Sequence, residues 1–123
     1  MFKVLLVSPV PGSLATLSAA LQAEPGLRVD WEKSGEAALT RATGKSLDLV
    51  VVDEAVKDMT AKDLINRLMM QNAAINTAVV SAMPEEEFHE AFEGLGVLAQ
   101  LPVQPAKAEA EGLIKRLKEL APA

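Results

Sequence analysis

The chain is predicted to fold as a doubly wound α/β domain, a five-stranded parallel sheet in the order 2-1-3-4-5 with five flanking helices. Three observations lead there. Strand-like runs alternate with helical ones along all 123 residues, without an internal repeat, a low-complexity tract or a dividing linker, so residues 1–123 read as one domain. The run Asp48-Leu49-Val50-Val51-Val52-Asp53 is too apolar to be anything but the middle of a buried parallel sheet. The run before it alternates Leu27, Val29 and Trp31 with Arg28, Asp30 and Glu32, which leaves one face polar and belongs at an edge.

In order, the first strand is Phe2 to Val7. After a Pro-Gly break, Ser13 is the expected N-cap of a helix burying Leu14, Leu17, Ala20 and Leu21, which Pro25-Gly26 ends. The second strand follows, and Ser34 then caps a helix through Arg41 that closes at Gly44, where a left-handed residue ends a helix without Cβ strain. The third strand is Asp48 to Asp53. Thr60-Ala61-Lys62-Asp63 reads as a capping box with Asp in place of Glu, opening a helix whose buried stripe is Leu64, Ile65, Leu68 and Met69. Thr77 to Ala82 is the fourth strand. Pro84 suits the first turn of a helix whose three following glutamates complement its dipole, with Phe88, Ala91 and Phe92 inward up to Gly94. A short fifth strand, Val97 to Leu101, precedes a last helix opened by Pro105, where Leu113, Ile114, Leu117 and Leu120 share one face. Right-handed crossovers between these strands leave the 2-1-3-4-5 order.

Composition excludes several function classes. Cysteine is absent and His89 is the single histidine, which removes thiol catalysis, disulfides, cysteine zinc sites and multi-histidine metal sites. A net charge of −5 argues against unaided binding to nucleic acid, whose affinity comes largely from neutralising phosphates. Lys115, Arg116 and Lys118 near the end of the last helix are read as charges complementing its dipole. The apolar start of the chain is broken at Ser8, Pro9, Pro11 and Gly12, short of the roughly 7–15 residues of a secretory h-region, and no run approaches a membrane span. A cytoplasmic location is expected.

The switch point of a 2-1-3-4-5 sheet lies between the first and third strands, so Ser8, Pro9 and Asp53 should share one crevice, the place where open α/β sheets bind ligands. Asp53 is the one carboxylate there. Glu54 should point to the opposite side of the strand, and Asp58 would reach the crevice only if its loop folded back. Trp31, Met69 and Met70 are read as core or shoulder residues, and His89 as solvated among Glu85, Glu86, Glu87 and Glu90.

With these residues placed, the whole chain resembles a response-regulator receiver domain of the chemotaxis-regulator type, with a flavodoxin-like sheet. Asp53 in Val51-Val52-Asp53 stands at that family's phosphoacceptor position. Val80-Ser81-Ala82 reproduces the Thr/Ser-Ala that ends the fourth strand, and Pro102 the proline that follows a conserved lysine, usually through a cis bond. Of the loop Met-Pro-x-Met-Asp-Gly, only Met59 is retained. The departures fall on the chemistry. Ser8 and Pro9 replace the acidic pair, Leu101 replaces the lysine, and Leu98 replaces the aromatic residue that moves with the Thr/Ser. Phosphoryl transfer to a carboxylate needs counter-charge, which the family supplies with Mg²⁺ and lysine. Here Ser8 offers a hydroxyl, Pro9 no N–H, and Leu101 only apolar surface, so no metal ligand set is assigned and Asp53 alone would hold Mg²⁺ weakly.

The resemblance implies a receiver-type signalling module of a two-component phosphorelay, not an enzyme. Two readings of it stand side by side. In one, a degenerate receiver acts by protein–protein interaction, offering its fourth helix, fifth strand and fifth helix, with Phe88, Phe92 and Leu98 near that face, to a histidine kinase, an effector domain or its own copy. In the other, Asp53 is phosphorylated by a histidine kinase despite an atypical metal site. In the first, Asp53 is a strand-end carboxylate, solvated or bonded to N–H groups of the next turn. A third reading from another class makes Ser8, Gly12, Ser13 and Thr16 a phosphate loop of a flavin- or nucleotide-binding domain; Pro9 and Pro11 delete two of the N–H groups it would need. Neither nucleic acid nor a membrane is an expected partner.

Overall fold

The computed structural model describes residues 2–43 and 46–120. Five parallel strands form one sheet in the order β2-β1-β3-β4-β5. They are β1 (Phe2–Val7), β2 (Leu27–Glu32), β3 (Leu49–Asp53), β4 (Asn76–Val80) and β5 (Val97–Leu101). The helices are α1 (Ala15–Gln22), α2 (Gly35–Ala42), α3 (Ala61–Gln71), α4 (Glu85–Ala91) and α5 (Lys107–Leu120). The predicted order and edge position of β2 are met. Gly44, the expected helix end, lies outside the described residues.

The pleat sends alternate residues of each strand into two cores. Leu5, Val7, Val50, Val52 and Val79 pack against α2, α3 and α4 through Ala38, Leu64, Ile65, Leu68 and Phe88. Val4, Leu6, Leu49, Val51, Ala78 and Val80 pack against Leu17 and Leu21 of α1 and Leu113 and Leu117 of α5. That β1 and β3 are buried on both faces is the reason they read as unbroken apolar runs. The polar face of β2 is not simply solvated: Arg41 of α2 pairs with Glu32 at 2.5 Å and lies 3.9 Å from Asp30.

Four expectations are corrected. Ser13 does not cap α1; it sits in a 3-10 turn, Pro11–Leu14, and α1 begins after Leu14 without a side-chain cap. Leu120, in the last turn of α5, is exposed, and so is Met70 near the end of α3. Arg116 and Lys118 have specific partners beyond the helix dipole, the carbonyl of Leu98 at 2.9 Å and Glu24, in the turn after α1, at 2.6 Å. The caps at Ser34 and Thr60 form as predicted, each hydroxyl accepting an N–H three residues on.

The pairing of β4 with β5 slips: Thr77 faces Val97, but Ala78 faces Ala99, so Leu98 is an extra residue in β5. A bulge places two successive side chains on one side of the sheet. Leu98 and Ala99 both turn to the α1 and α5 core. Alternation then resumes, so Gln100 lies on the α4 side and Leu101 in the α5 core.

Candidate functional site

The crevice forms where chains leave the C-terminal ends of β1 and β3 toward opposite faces of the sheet. Ser8 follows β1, its N–H bonded to the carbonyl of Glu32, and is fully buried; Asp53 ends β3 and is 8% exposed. The Ser8 hydroxyl donates to Asp53 Oδ2 at 2.8 Å, and the Ser13 hydroxyl reaches the same oxygen at 3.1 Å. Asp53 Oδ1 accepts the N–H of Ala55 at 2.9 Å. The two hydroxyl oxygens are 3.0 Å apart, and both also lie within reach of the Val10 carbonyl, at 3.1 Å from Ser8 and 2.8 Å from Ser13. Two hydroxyl protons serve the carboxylate and one carbonyl, while Ser8 Oγ accepts from the Val10 N–H at 3.2 Å. Trp31 closes the back of the site by donating its indole N–H to the Ser8 carbonyl at 3.1 Å.

The structure thus brings Ser8 and Asp53 together, with Pro9 half-buried beside them. It adds Ser13, which had been assigned to a helix cap. The Pro-Gly break before Ser13 was the available signal, because a proline and a glycine there favour a turn that points the hydroxyl back into the crevice. The other expected positions do not converge on Asp53. The buried Ser81 hydroxyl accepts the Met83 N–H at 3.0 Å. Leu101 is buried in the α5 core, Leu98 occupies the bulge, and Pro102 is exposed after a trans bond, unlike the usual cis bond of the family pattern. Met59 is half-buried over Gly35 of α2.

Of the neighbouring acids, Asp58 is committed elsewhere and Glu54 is open to solvent. Asp58 accepts the N–H groups of Glu36 at 2.9 Å and Gly35 at 3.0 Å at the start of α2, and these bonds hold its carboxyl below the ordinary range. Glu54 is exposed; partial burial first, and then the charge of Asp53, raise its carboxyl above the ordinary range. Among the described residues no group of three or more His, Cys, Asp or Glu is placed to hold a metal ion. Mg²⁺ favours carboxylate and water oxygens in octahedral geometry. One carboxylate already bonded at both oxygens, with two hydroxyls beside it, does not fit that ion.

A second concavity, of about 890 Å³, lies between α4, β5 and the side chain of Arg116. Phe88 and Phe92 stack at 4.5 Å between ring centres and form its floor, Glu85, Glu90 and Glu93 its acidic rim, and Val97 and Leu98 its wall. Both phenylalanines are buried, as their spacing predicts, so the exposed part of this face is mostly the rim and β5. His89 is exposed, 3.6 Å from Glu85.

No protein-family model matches the chain, and no curated protein matches it in sequence. Solved structures do match. A CheY-like response regulator receiver domain protein from Methanospirillum hungatei superposes with a TM-score of 0.84 at 17% identity, over 97% of this chain and 95% of that one. The non-phosphorylated HemR receiver domain from Leptospira biflexa gives 0.82 at 24% identity, covering 100% and 98%. A putative pilus assembly protein from Burkholderia thailandensis gives 0.79 at 19% identity, covering 97% and 99%. The chain therefore has the flavodoxin-like fold of CheY-type receiver domains. No helix among the described residues is long and apolar enough to cross a membrane.

Proposed function

We propose that the chain is a receiver-type module of two-component signalling in degenerate form, one that acts by protein–protein interaction and performs no phosphoryl chemistry. One observation carries this reading: the Asp53 carboxylate is bonded to two serine hydroxyls and one backbone N–H, and no cationic side chain among the described residues pairs with it. A phosphoryl group arriving there would add negative oxygens beside a carboxylate in a pocket without counter-charge. Its partners are a histidine kinase, an effector domain or a second copy, met through α4, β5 and α5, in the cytoplasm; nucleic acid and membranes are not among them. The flavin or nucleotide reading loses its phosphate loop, because Ser8 and Ser13 turn toward a carboxylate that would repel a phosphate.

The test is incubation with a small-molecule phosphodonor and millimolar Mg²⁺, followed by intact mass. The unmodified mass is expected. Stoichiometric addition of a phosphoryl group that disappears in Asp53→Asn would replace this reading with that of a working receiver.

A further inference from the structure

We propose that Gln100 is a positioning residue that latches the loop between β4 and α4, holding the α4 side of the concavity in one arrangement that does not depend on Asp53. The bulge at Leu98 is what aims it there, since the slipped alternation turns Gln100 toward α4. Its Nε2 donates to the carbonyl of Met83 at 2.7 Å and approaches that of Ser81 at 3.4 Å. Two carbonyls facing the carboxamide fix which end is the NH₂ group. Within the loop the Met83 N–H is bonded to Ser81 Oγ, and the Ser81 N–H to the Leu101 carbonyl at 3.0 Å. Ser81 and Met83 thus have their backbone polar groups held from β5 and from within the turn. Swinging the Ser81 hydroxyl toward Asp53 would break its bond from the Met83 N–H, in a turn whose Met83 carbonyl Gln100 holds in place. The consequence for partner binding rests on the degenerate-receiver reading: a face held in this way is offered constitutively.

The experiment compares amide hydrogen exchange in the full chain for the wild type, Gln100→Met and Gln100→Lys. Methionine keeps the length without a donor, and lysine keeps a donor. The Met83 amide is expected to exchange about tenfold faster in Gln100→Met, the loss of roughly one net hydrogen bond, and to stay near the wild-type rate in Gln100→Lys. The Asp63 amide, capped by Thr60 in α3, serves as the control and should not change. The proposal is overturned if Gln100→Met leaves Met83 unchanged, if Gln100→Lys exchanges as fast as Gln100→Met, or if Met83 and Asp63 accelerate equally. None of these readings involves a phosphodonor. Phosphoryl labelling of the wild type would therefore end the degenerate reading while leaving the latch standing, and the reverse outcome is equally distinct.

Discussion

Replacing Asp53 with asparagine keeps the side chain's shape and removes its charge, and the sign of the stability change reports what the carboxylate does. In the structure Oδ2 receives Ser8 and Ser13, and Oδ1 receives the Ala55 N–H. Asparagine must turn an NH₂ group toward one of these donor sets. The hydroxyls can accommodate it by rotating, because the Val10 carbonyl is within 3.1 Å of Ser8 Oγ and 2.8 Å of Ser13 Oγ to take their protons. The geometry then survives while three charge-assisted bonds become neutral, a loss of about 1 kcal/mol each. Relief of the carboxylate's desolvation offsets part of this, which leaves Asp53→Asn destabilised by about 1–2 kcal/mol. Urea unfolding at pH 7 should show a lower midpoint with an unchanged slope. An aspartate crowded by other acids would respond the other way, since neutralising one of several like charges relieves repulsion. A variant as stable as the wild type, or more so, would refute the account of Asp53 as a bonded structural acceptor.

Three further outcomes follow from the same loops. A Cβ on Gly35 would sit 2.6 Å from Met59 Sδ and 2.7 Å from its Cγ, so Gly35→Ala should lose about 1–2 kcal/mol in urea unfolding, and the loss should vanish in a Met59→Ala background. Asp58 has a folded-state pKa held below its unfolded value; its contribution is complete above the ordinary carboxylate range near pH 4 and is lost as pH falls through the folded value, so Asp58→Asn should flatten the acid limb of the stability curve. Glu54 has the opposite sign, its folded pKa raised, so Glu54→Gln should be the more stable protein at pH 7 and the difference should close as acidification protonates the wild type.

The fold was legible because burial writes itself into the strands. β1 and β3, enclosed on both faces, spell continuous apolar runs, and β2, with one helix-facing polar side, spells an alternation. The caps at Ser34 and Thr60 were legible as well, since a hydroxyl before an apolar stripe has one good use. The site was legible only in part. Asp53 and Ser8 follow from strand ends and the switch point, but Ser13 was assigned by its local spacing to a helix, and a contact spanning 40 residues decided otherwise. Asp58 offered no local hint that it would grip α2, 22 and 23 residues away. The bulge at Leu98 was invisible for a related reason: register is set by the neighbouring strand, and one slipped residue exchanges the faces of everything after it. Gln100 had no reading from sequence because its side was undetermined until the slip was seen.

These contacts share a direction. Ser8 and Ser13 tie the loop after β1 to the end of β3, Asp58 ties the loop after β3 to α2, and Gln100 ties the loop after β4 to β5. A conformational switch needs two arrangements within a few kcal/mol, so that a modest differential interaction can exchange them. If each tie adds about 1 kcal/mol to the arrangement seen here, the three together hold an alternative that breaks all of them below about 1% of molecules, before any intrinsic preference is counted. On the degenerate-receiver reading proposed above, the lack of counter-charge at Asp53 and these bonds among the loops act in the same sense. In that reading the first would withhold the chemistry that drives a transition and the second the mobility it requires, and the proposed surface of α4, β5 and α5 would be the fixed output on which a partner acts.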